Sequence, residues 1–345
     1  MVAEMSNKVY FFTRNANSPG VTVILKAIQR GLEKRNVQSC LIDNLKDVPS
    51  GGLLVPYGTR ESFEYISVPG IKPLALLVDY YSEGCRNKIK FYLRRGKFLY
   101  KDLYYSIVSY FRYHRKDVQV ASAYDNVMMV SKTDIDNLSR VAKDSHLVLA
   151  NNCVKLKETA FRQYDKTKPL KLGIIAHWMF VSIDETRWFI ADVFKKLRSV
   201  FPGIELVIAG RGDEKLASHF FKGEGVRFIG EVESLDDFFN DINIYVATVP
   251  KGCGVLNKLL DAFSYRVFSI GVQASFSAFS DLKEGYVVCD RLEDYVNAIQ
   301  MYCESQDRVR RMVDNAFEYV KRTHSDEEKN YKEVIDIIEN ALVSK

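Results

Sequence analysis

The sequence holds few cysteines and no long apolar run, and each shortage excludes a class of protein. Its six cysteines lie far apart and form no Cys-x-x-Cys pair, which favours a reducing cytoplasm over a disulfide framework or a zinc site. No run reaches the length of a membrane-spanning helix. The first eight residues lack the apolar core of a signal peptide. We therefore expect a cytoplasmic protein that could be peripheral on the inner membrane face.

Positive charge is concentrated in residues 86–116. This segment holds ten Lys or Arg and one acid, so it carries +9, and the net charge of +5 leaves −4 for the rest of the chain. It also holds nine Phe or Tyr and an apolar stripe at helical spacing, formed by Tyr100, Leu103, Tyr104, Ile107, Val108 and Phe111. A basic, aromatic, amphipathic helix is typical of a membrane interface, so we expect docking on an anionic membrane surface. One alternative is packing of the stripe on a core. Another is RNA binding, but no known RNA-binding motif is present and no nucleic-acid partner is expected.

Short β-branched runs alternate with helical stretches, which is typical of parallel sheets flanked by helices. Twelve strands are predicted: Val9–Thr13, Ser39–Ile42, Leu53–Val55, Leu74–Val78, Asn126–Val130, Leu147–Leu149, Leu172–Ala176, Glu205–Ala209, Val226–Ile229, Ile244–Ala247, Val267–Ile270 and Tyr286–Val288. The polar stretch 155–170 separates two groups of six and is interpreted as a linker. The sequence thus predicts an α/β protein with two doubly wound Rossmann-like domains, 1–154 and 171–322. Residues 323–345 form a final helix that could pack back on the first domain.

Two helix starts are predicted from capping residues. Ser131 with Asp134 three residues later indicates one, and Ser325 with Glu328 indicates a capping box for the last helix. Asp134 and Asp136 also resemble a metal-binding Asp-x-Asp pair, but residues two apart point to different faces of a helix. We interpret the pair as helix capping and expect no metal.

Residues 252–262 predict a glycine loop that opens into a helix. Leu256, Leu259, Leu260 and Phe263 form a buried stripe, while Asn257, Lys258 and Asp261 share another face. A helix start presents unpaired N–H groups and a positive dipole end, and Lys258 adds a charge, so the segment predicts a phosphate or diphosphate site. The alternatives are a solvated Lys258 and an Asp261 that only balances its charge.

This segment resembles the signature of family 4 glycosyltransferases, which are retaining enzymes of the two-domain GT-B fold. The branch with the pattern Gly-x-Gly-x-x-Asn-Lys-x-x-Glu-Ala is the most similar. Further pieces follow in that branch's order: Trp188-Phe189, Gly210-Arg211-Gly212 and Phe228-Ile229-Gly230. The amino-terminal half matches more loosely, through Val78-Asp79 to Ser82-Glu83 and through residues 130–134. The resemblance implies a GT-B fold and a nucleotide-diphosphate sugar donor, with no metal or other cofactor.

The resemblance also assigns donor-binding residues in the second domain. Lys258 and Arg211 are expected to neutralise the departing diphosphate, and Asp261 to accept hydrogen bonds from ribose hydroxyls. For Arg211 a solvated position in a tight turn is the alternative. The other expected donor-binding residues are Gly252, Cys253, Gly254, Val255, Leu256, Asn257, Gly210, Gly230 and Val232. His177 comes just past the strand Leu172–Ala176 and is also a candidate for the cleft, with capping or packing as the alternative.

Cys253 departs from the family pattern. Many members carry a glutamate eight residues before the ribose-binding acid, where it contacts the transferred sugar, and here that position is Cys253. A thiol cannot play that part. We interpret Cys253 as a small residue that fits its place, with a reactive cysteine near a helix start as the alternative.

The amino-terminal half contributes its own candidates. Ser18, Pro19 and Gly20 lie between the first strand and helix and are expected to face the cleft, with an ordinary turn as the alternative. Asp79 follows the fourth predicted strand and is a catalytic candidate, together with Lys258 and Arg211, for contact with sugar or acceptor. No histidine follows a strand of this domain where an inverting enzyme would need a general base, which favours retention.

The leading hypothesis is a retaining hexosyltransferase in polysaccharide or glycoconjugate synthesis. Its donor would be a nucleotide-diphosphate sugar and its acceptor a glycan or a lipid-linked sugar. The alternative is a catalytically impaired relative that binds a nucleotide or glycan and serves a partner enzyme. Cys253 motivates it, as does Asp261, which is one methylene shorter than the glutamate that the family has at this position.

Overall fold

The computed structural model describes residues 8–16, 19–49, 52–95, 100–178 and 180–344. The first domain consists of β1 (Lys8–Phe12), α1 (Pro19–Lys34), β2 (Gln38–Ile42), β3 (Leu53–Pro56), α2 (Thr59–Ile66), β4 (Ala75–Val78), α3 (Tyr81–Arg95), α4 (Tyr100–Ala123), β5 (Asn126–Met129), α5 (Lys132–Leu138) and β6 (His146–Leu149). Its strands form two parallel groups, β2-β1-β3 and β4-β5-β6, which a bridge between Tyr57 and Leu76 connects. The carboxyl ends of these strands therefore share one edge.

The second domain contains one six-stranded parallel sheet. Its elements are β7 (Lys171–Ile175), α6 (Phe180–Trp188), a π-helical turn (Phe189–Phe194), α7 (Lys195–Val200), β8 (Glu205–Ala209), α8 (Glu214–Phe220), β9 (Val226–Phe228), α9 (Leu235–Asp241), β10 (Ile244–Ala247), α10 (Asn257–Ser264), β11 (Phe268–Gly271), β12 (Val287–Val288), α11 (Leu292–Glu304) and α12 (Gln306–Thr323). The strand order β12-β11-β10-β7-β8-β9 is that of a doubly wound sheet, whose switch point lies between β7 and β10. The predicted α/β class is confirmed.

Residues 150–165 contain neither helix nor strand, and the chain returns to the first domain at its end. Helix α13 (Glu327–Val343) packs along α1, where Ile335 approaches so closely that a Cβ at Gly31 would lie 2.2 Å from its Cδ1 atom. Arg30 pairs with Glu327 at 2.6 Å, and Arg35 pairs with Asp336 at 2.6 Å. The last helix thus connects the two domains on the side of α1.

The twelve predicted strands are present, each within one residue at either end. The predicted cap at Ser131 is also confirmed, since its side chain accepts from the Asp134 N–H. The predicted capping box at Ser325 is wrong. Asp326 caps α13 instead, by accepting from the Lys329 N–H at 2.9 Å. Its carboxylate is a stronger acceptor than the neighbouring hydroxyl for a helix start.

Helix α4 is amphipathic in the reverse of the usual sense. Over residues 102–117 its inward face is polar and buried, and Asp117 there accepts hydrogen bonds from Thr59 Oγ1 at 2.7 Å and the Ser82 N–H at 2.8 Å. Near the end of the helix, Val120 and Ala121 are buried in the apolar core. The outward face of α4 is apolar, with exposed Tyr104, Ile107, Val108 and Phe111. The exposed residues of the predicted stripe do not pack on the core, so the core-packing alternative is wrong for them. Leu103, also in the stripe, is half-buried against the second domain. None of the described helices is long and apolar enough to cross a bilayer.

Candidate active site

The carboxyl ends of the strands in both domains surround one cavity of about 480 Å³. The first domain supplies most of its wall, through the start of α1, residues 57–61 after β3 and residues 77–79 at the end of β4. The second domain supplies Lys251, Val255 and Asn257 from the segment between β10 and α10. Ligands of doubly wound domains bind at this edge, so the cavity is the candidate active site.

A strained turn at the end of β4 directs Asp79 into this cavity. Val78 has φ +69°, which is rare for a β-branched residue, and the register of β4 shifts between Leu76 and Val78. The Asp79 carboxylate lies 3.3 Å from Lys251 Nζ of the other domain. Burial by itself would lower the pKa of Lys251, but the neighbouring groups, with Asp79 the strongest and Asp134 further away, together raise it. Strain held by the surrounding structure is typical of a functional position.

The glycines of the 252–254 loop allow the two domains to approach closely. Gly252 has φ +68°, and a Cβ there would lie 2.6 Å from the Asn87 side chain, which donates to the Gly252 carbonyl at 2.8 Å. Gly254 has φ +55°, and a Cβ there would lie 1.7 Å from Asp79 Oδ1. Both positions require glycine, for backbone conformation and for space.

Asp134 joins the two domains, and its interpretation as a capping residue is wrong. Its Oδ2 atom accepts from the Tyr80 N–H at 3.1 Å and from the Gly254 N–H of the other domain at 2.6 Å. Burial and the nearby Asp79 raise its pKa to about 7, although the two N–H donors act in the opposite direction. The Gly254 amide, which the sequence assigns to the donor diphosphate, is therefore occupied by a carboxylate in this structure.

We expect the Asp134 carboxyl to make the unliganded protein more stable as the pH falls from about 7 to about 5. The folded-state pKa of Asp134 lies above its unfolded value, so the folded state takes up the proton first, and stability is lost as pH rises towards 7. One proton per pH unit corresponds to about 1.4 kcal/mol, or about 2 °C in melting temperature. Scanning calorimetry of the wild type and Asp134→Asn should show a shallower pH dependence in the variant. Equal slopes would contradict this assignment.

Helix α10 begins at Asn257 without a side-chain cap on its first turn, which leaves its start suited to an anion. Asn257 lines the cavity and accepts from Asn152 Nδ2 at 2.7 Å. Lys258 and Asp261 share one face as predicted, with 3.2 Å between Nζ and Oδ2. Burial raises the pKa of Asp261, and Lys258 opposes this rise. Their roles with phosphate and ribose stay predictions.

The other predicted donor contacts lie at the ends of β7, β8 and β9. Gly210 and Gly212 both have φ +131° and touch the backbone of residues 176–178, so they bring these ends together. Arg211 is 51% exposed and lies 3.8 Å from Glu231, which leaves its guanidinium able to move. Gly230 accepts from the Gly210 N–H at 2.7 Å. His177 is exposed. Val232 packs on the core.

The loop before α1 is described in part. Ser18 lies outside the described residues, and Pro19 is the first residue of α1. Gly20 lines the cavity, and nothing lies within 4 Å of the position a Cβ would take. This open space at a helix start agrees with the expected place of the loop at the cleft.

Cys253 is a buried packing residue in this structure. A Cβ at Gly84 of α3 would lie 2.3 Å from Cys253 Sγ. The thiol therefore packs against Gly84, where there is no room for a larger residue. Burial and the neighbouring Asp79 raise its pKa well above the ordinary value. A thiol of this kind is a poor nucleophile, which favours the interpretation as a residue of suitable size. In the described part of the chain, no group of three or more His, Cys, Asp or Glu side chains could hold a metal ion.

Several cavity residues were not predicted. Lys251 immediately precedes the glycine loop, and this position could have indicated a second lysine at the predicted anion site. Residues 57–61 contain Gly58 with φ +93° and the buried Glu61, which follow a strand as Asp79 does. A strand followed by a glycine and an acid is the sequence pattern that could have predicted this segment at the cavity.

Comparison with known proteins agrees with this architecture. Residues 171–305, in the second domain, match the sequence model of a family described as glycosyl transferases group 1. HepE from Anabaena, solved with UDP and glucose, superposes with a TM-score of 0.62 at 10% identity, over 96% of this chain and 99% of HepE. The chain has the GT-B fold.

Two further GT-B structures are similar over different lengths. WaaB, described as a lipopolysaccharide outer core galactosyltransferase, gives a TM-score of 0.54 at 12% identity and covers 95% of this chain and 99% of its own. TarM gives 0.56 at 10% identity, over 83% of this chain and 54% of TarM. The chain therefore spans about half the length of TarM. No curated protein matches the chain in sequence.

Proposed function

We propose that the protein is a retaining glycosyltransferase that moves a hexosyl unit from a nucleotide-diphosphate sugar to a glycan or lipid-linked acceptor. The reaction would serve the synthesis of a polysaccharide or glycoconjugate. The observation that carries the proposal is the uncapped start of α10, with Lys258 in its first turn, at the cleft edge of a domain that matches the glycosyl transferases group 1 model. The UDP and glucose bound to HepE and the description of WaaB support a UDP-hexose donor and a glycan acceptor.

The proposed chemistry is stabilisation of the leaving diphosphate. Breaking the bond to the sugar places negative charge on the β-phosphate, and fixed cations and a helix start stabilise that charge. Lys258 lies in the first turn of α10, and Lys251 lies in the cavity wall, where it donates to the Val255 carbonyl just before that helix. Arg211 can reach in from the rim, and Asp261 would orient the ribose. None of the five histidines lines the cavity, which supports retention because an inverting enzyme needs a base beside the acceptor.

Titration calorimetry with UDP, GDP and ADP tests this proposal. We expect micromolar-range binding of one of them, and a loss of about 10- to 100-fold in Lys258→Ala, because a charge-assisted contact to phosphate disappears. Lys321→Ala is the matched control, since Lys321 also pairs with an acid three residues away but lies on the surface of α12. A wild type that binds no nucleotide diphosphate, together with an unaltered Lys258→Ala variant, would refute the proposal.

We also propose that the outward face of α4 rests on an anionic membrane. Four apolar side chains on this face are exposed, and Phe111 is 74% exposed. Exposed Arg112 and Arg115 flank them on the same helix. Apolar side chains with a basic border are the features of an interfacial helix. This position would bring a lipid-linked acceptor to the cleft, since Tyr113 of α4 lines the cavity.

Vesicle flotation tests the membrane proposal. We expect the wild type to float with phosphatidylglycerol-containing vesicles but not with phosphatidylcholine alone. Replacing Ile107 and Phe111 by Ser should weaken binding at least tenfold, because each buried apolar side chain contributes about 1.5–3 kcal/mol. The matched control replaces Val141 and Val200, which are 49% and 51% exposed on other surfaces. Equal flotation of both double variants would contradict the proposal.

A second candidate is a binding protein that serves a partner enzyme. The Asp134 carboxylate on the Gly254 amide and Cys253 in place of an acid favour it. Hydrolysis or transfer of any sugar from a panel of UDP-, GDP- and ADP-sugars would exclude this candidate.

A further inference from the structure

A second, smaller cavity of about 190 Å³ lies beside the first. Helices α3 and α4 form most of its wall, and the loop before α10 closes it with Lys251 and Cys253. The two cavities share Asp79, Tyr81 and Lys251, so they meet at the ion pair between the domains. The smaller one thus adjoins the place where the leaving diphosphate and the transferred sugar are expected to separate.

Asp102 is the unusual residue of this second cavity. It is 3% exposed, and neither carboxylate oxygen has a hydrogen-bond partner among the described residues. Burial and the nearby Asp184 raise its pKa to about 6, while Lys88 opposes this rise. A buried carboxylate without partners costs free energy, and such a group is retained where it serves a ligand.

The second cavity is chemically suited to a neutral polyol. Asp102 would repel an anion, while burial raises the pKa of Glu185 behind it, which accepts from Tyr92 OH at 2.6 Å, to about 8. Lys88 and Lys251 would repel a cation. Carboxylate, ammonium and hydroxyl groups together can exchange hydrogen bonds with neighbouring hydroxyls on a ring. Tyr81, Tyr92 and Tyr105 add aromatic surface for the ring's C–H face.

We propose that this cavity receives one pyranose ring, with two adjacent hydroxyl groups donating to Asp102 and Lys88 donating to a ring hydroxyl oxygen. The inference rests on the proposed function, because it names a sugar subsite of the same cleft. The volume of this second cavity is smaller than that of pockets for drug-sized ligands, which suits a single sugar ring. The inward polar face of α4, which supplies Asp102, Ser106 and Ser109, thereby has a function that packing alone does not provide.

Binding of methyl glycosides to the full chain, measured by saturation-transfer NMR, tests the subsite directly. The probes are methyl glucoside, galactoside, mannoside and N-acetylglucosaminide, each with and without UDP. We expect at least one to bind the wild type and to bind Asp102→Asn at least tenfold more weakly. Asp136→Asn is the matched control, since Asp136 is an exposed acid paired with Lys132 on α5.

Thermal unfolding separates a ligand-binding role from a structural one. An isolated carboxylate destabilises the free protein, so Asp102→Asn should raise the melting temperature by about 2 °C while it weakens sugar binding. A structural role predicts a lower melting temperature. A variant that is less stable than the wild type, or one that binds every glycoside as well, would overturn the inference.

Kinetics with UDP-sugars would identify the source of the ring. If the ring is the donor's, Asp102→Asn should slow UDP-sugar hydrolysis without acceptor at least tenfold. If it is the acceptor's, hydrolysis should stay unchanged and the KM for acceptor should rise at least tenfold. Unchanged values in both assays would overturn the inference. The UDP affinity of Asp102→Asn should match that of the wild type within twofold. A wild type that binds no nucleotide would refute the proposed function. The glycoside titration would then still decide whether the subsite exists.

Discussion

Replacing Lys251 by Met is expected to lower the rate of sugar transfer by about 10²- to 10³-fold, as for the loss of a fixed charge at a reacting centre. Lys251 Nζ lies 3.3 Å from Asp79 and 3.1 Å from the Val255 carbonyl, next to the start of α10. Without it, the Asp79 and Asp134 carboxylates remain in the cleft without their cation and repel the donor diphosphate. Steady-state kinetics with the donor identified by calorimetry would measure the change.

A double-variant cycle distinguishes this electrostatic effect from general damage. Removing both partners of this partly buried pair removes the uncompensated charge, so Lys251→Met with Asp79→Asn should lose less activity than the two separate losses combined. Lys168→Met is the matched control, because Lys168 pairs with Asp165 at 3.7 Å on the exposed linker and should leave the rate within twofold. Strict additivity of the two cleft variants would contradict the coupling.

Replacing Gly254 by Ala is expected to abolish measurable transfer, with a loss of at least about 100-fold. The new Cβ would lie 1.7 Å from Asp79 Oδ1, 2.6 Å from its Cγ and 3.0 Å from Lys251 Nζ. The clash forces the domains apart or displaces Asp79, and a misplacement of about 1 Å can cost 10²-fold in rate. The φ of +55° adds about 1–2 kcal/mol of strain for any residue with a Cβ.

Gly203→Ala provides the control for the backbone term. Gly203 has φ +87°, but nothing lies within 4 Å of the position of its Cβ, and it lies in a turn away from the cavity. Both variants should lose similar conformational stability, measured by urea unfolding, whereas only Gly254→Ala should lose transfer. Retention of activity by Gly254→Ala would show that this close approach of the domains is not the working arrangement.

The local sequence was sufficient to predict the strands of this chain. Strand boundaries followed from short β-branched runs, which are buried on both faces of a parallel sheet. The shared face of Lys258 and Asp261 followed from helical spacing alone, and their contact at 3.2 Å confirms it. Which face of α4 is buried could not be predicted, because the apolar spacing along the helix is the same whichever face points inward. Its burial depends on the neighbours that α3 and the second domain supply.

Contacts across the cleft were beyond prediction for a different reason. Asp79 and Lys251 are 172 residues apart, and Asp134 and Gly254 are 120 apart. Each acid is an ordinary residue in its own segment, and Asp134 has the sequence signal of a helix cap. Only the docking of two separately formed domains places a carboxylate on the Gly254 amide.

The sequence by itself determined two doubly wound domains and a helix start suited to an anion, because these depend on local periodicity, glycine placement and the charges of one helix face. The tertiary structure alone decided which groups meet in the cleft: Asp79 with Lys251, Asp134 with Gly254, and Asp102 in a cavity without partners. These contacts depend on distances between segments far apart in the chain. Such distances are fixed by core packing and by the approach of the domains, which no local pattern encodes.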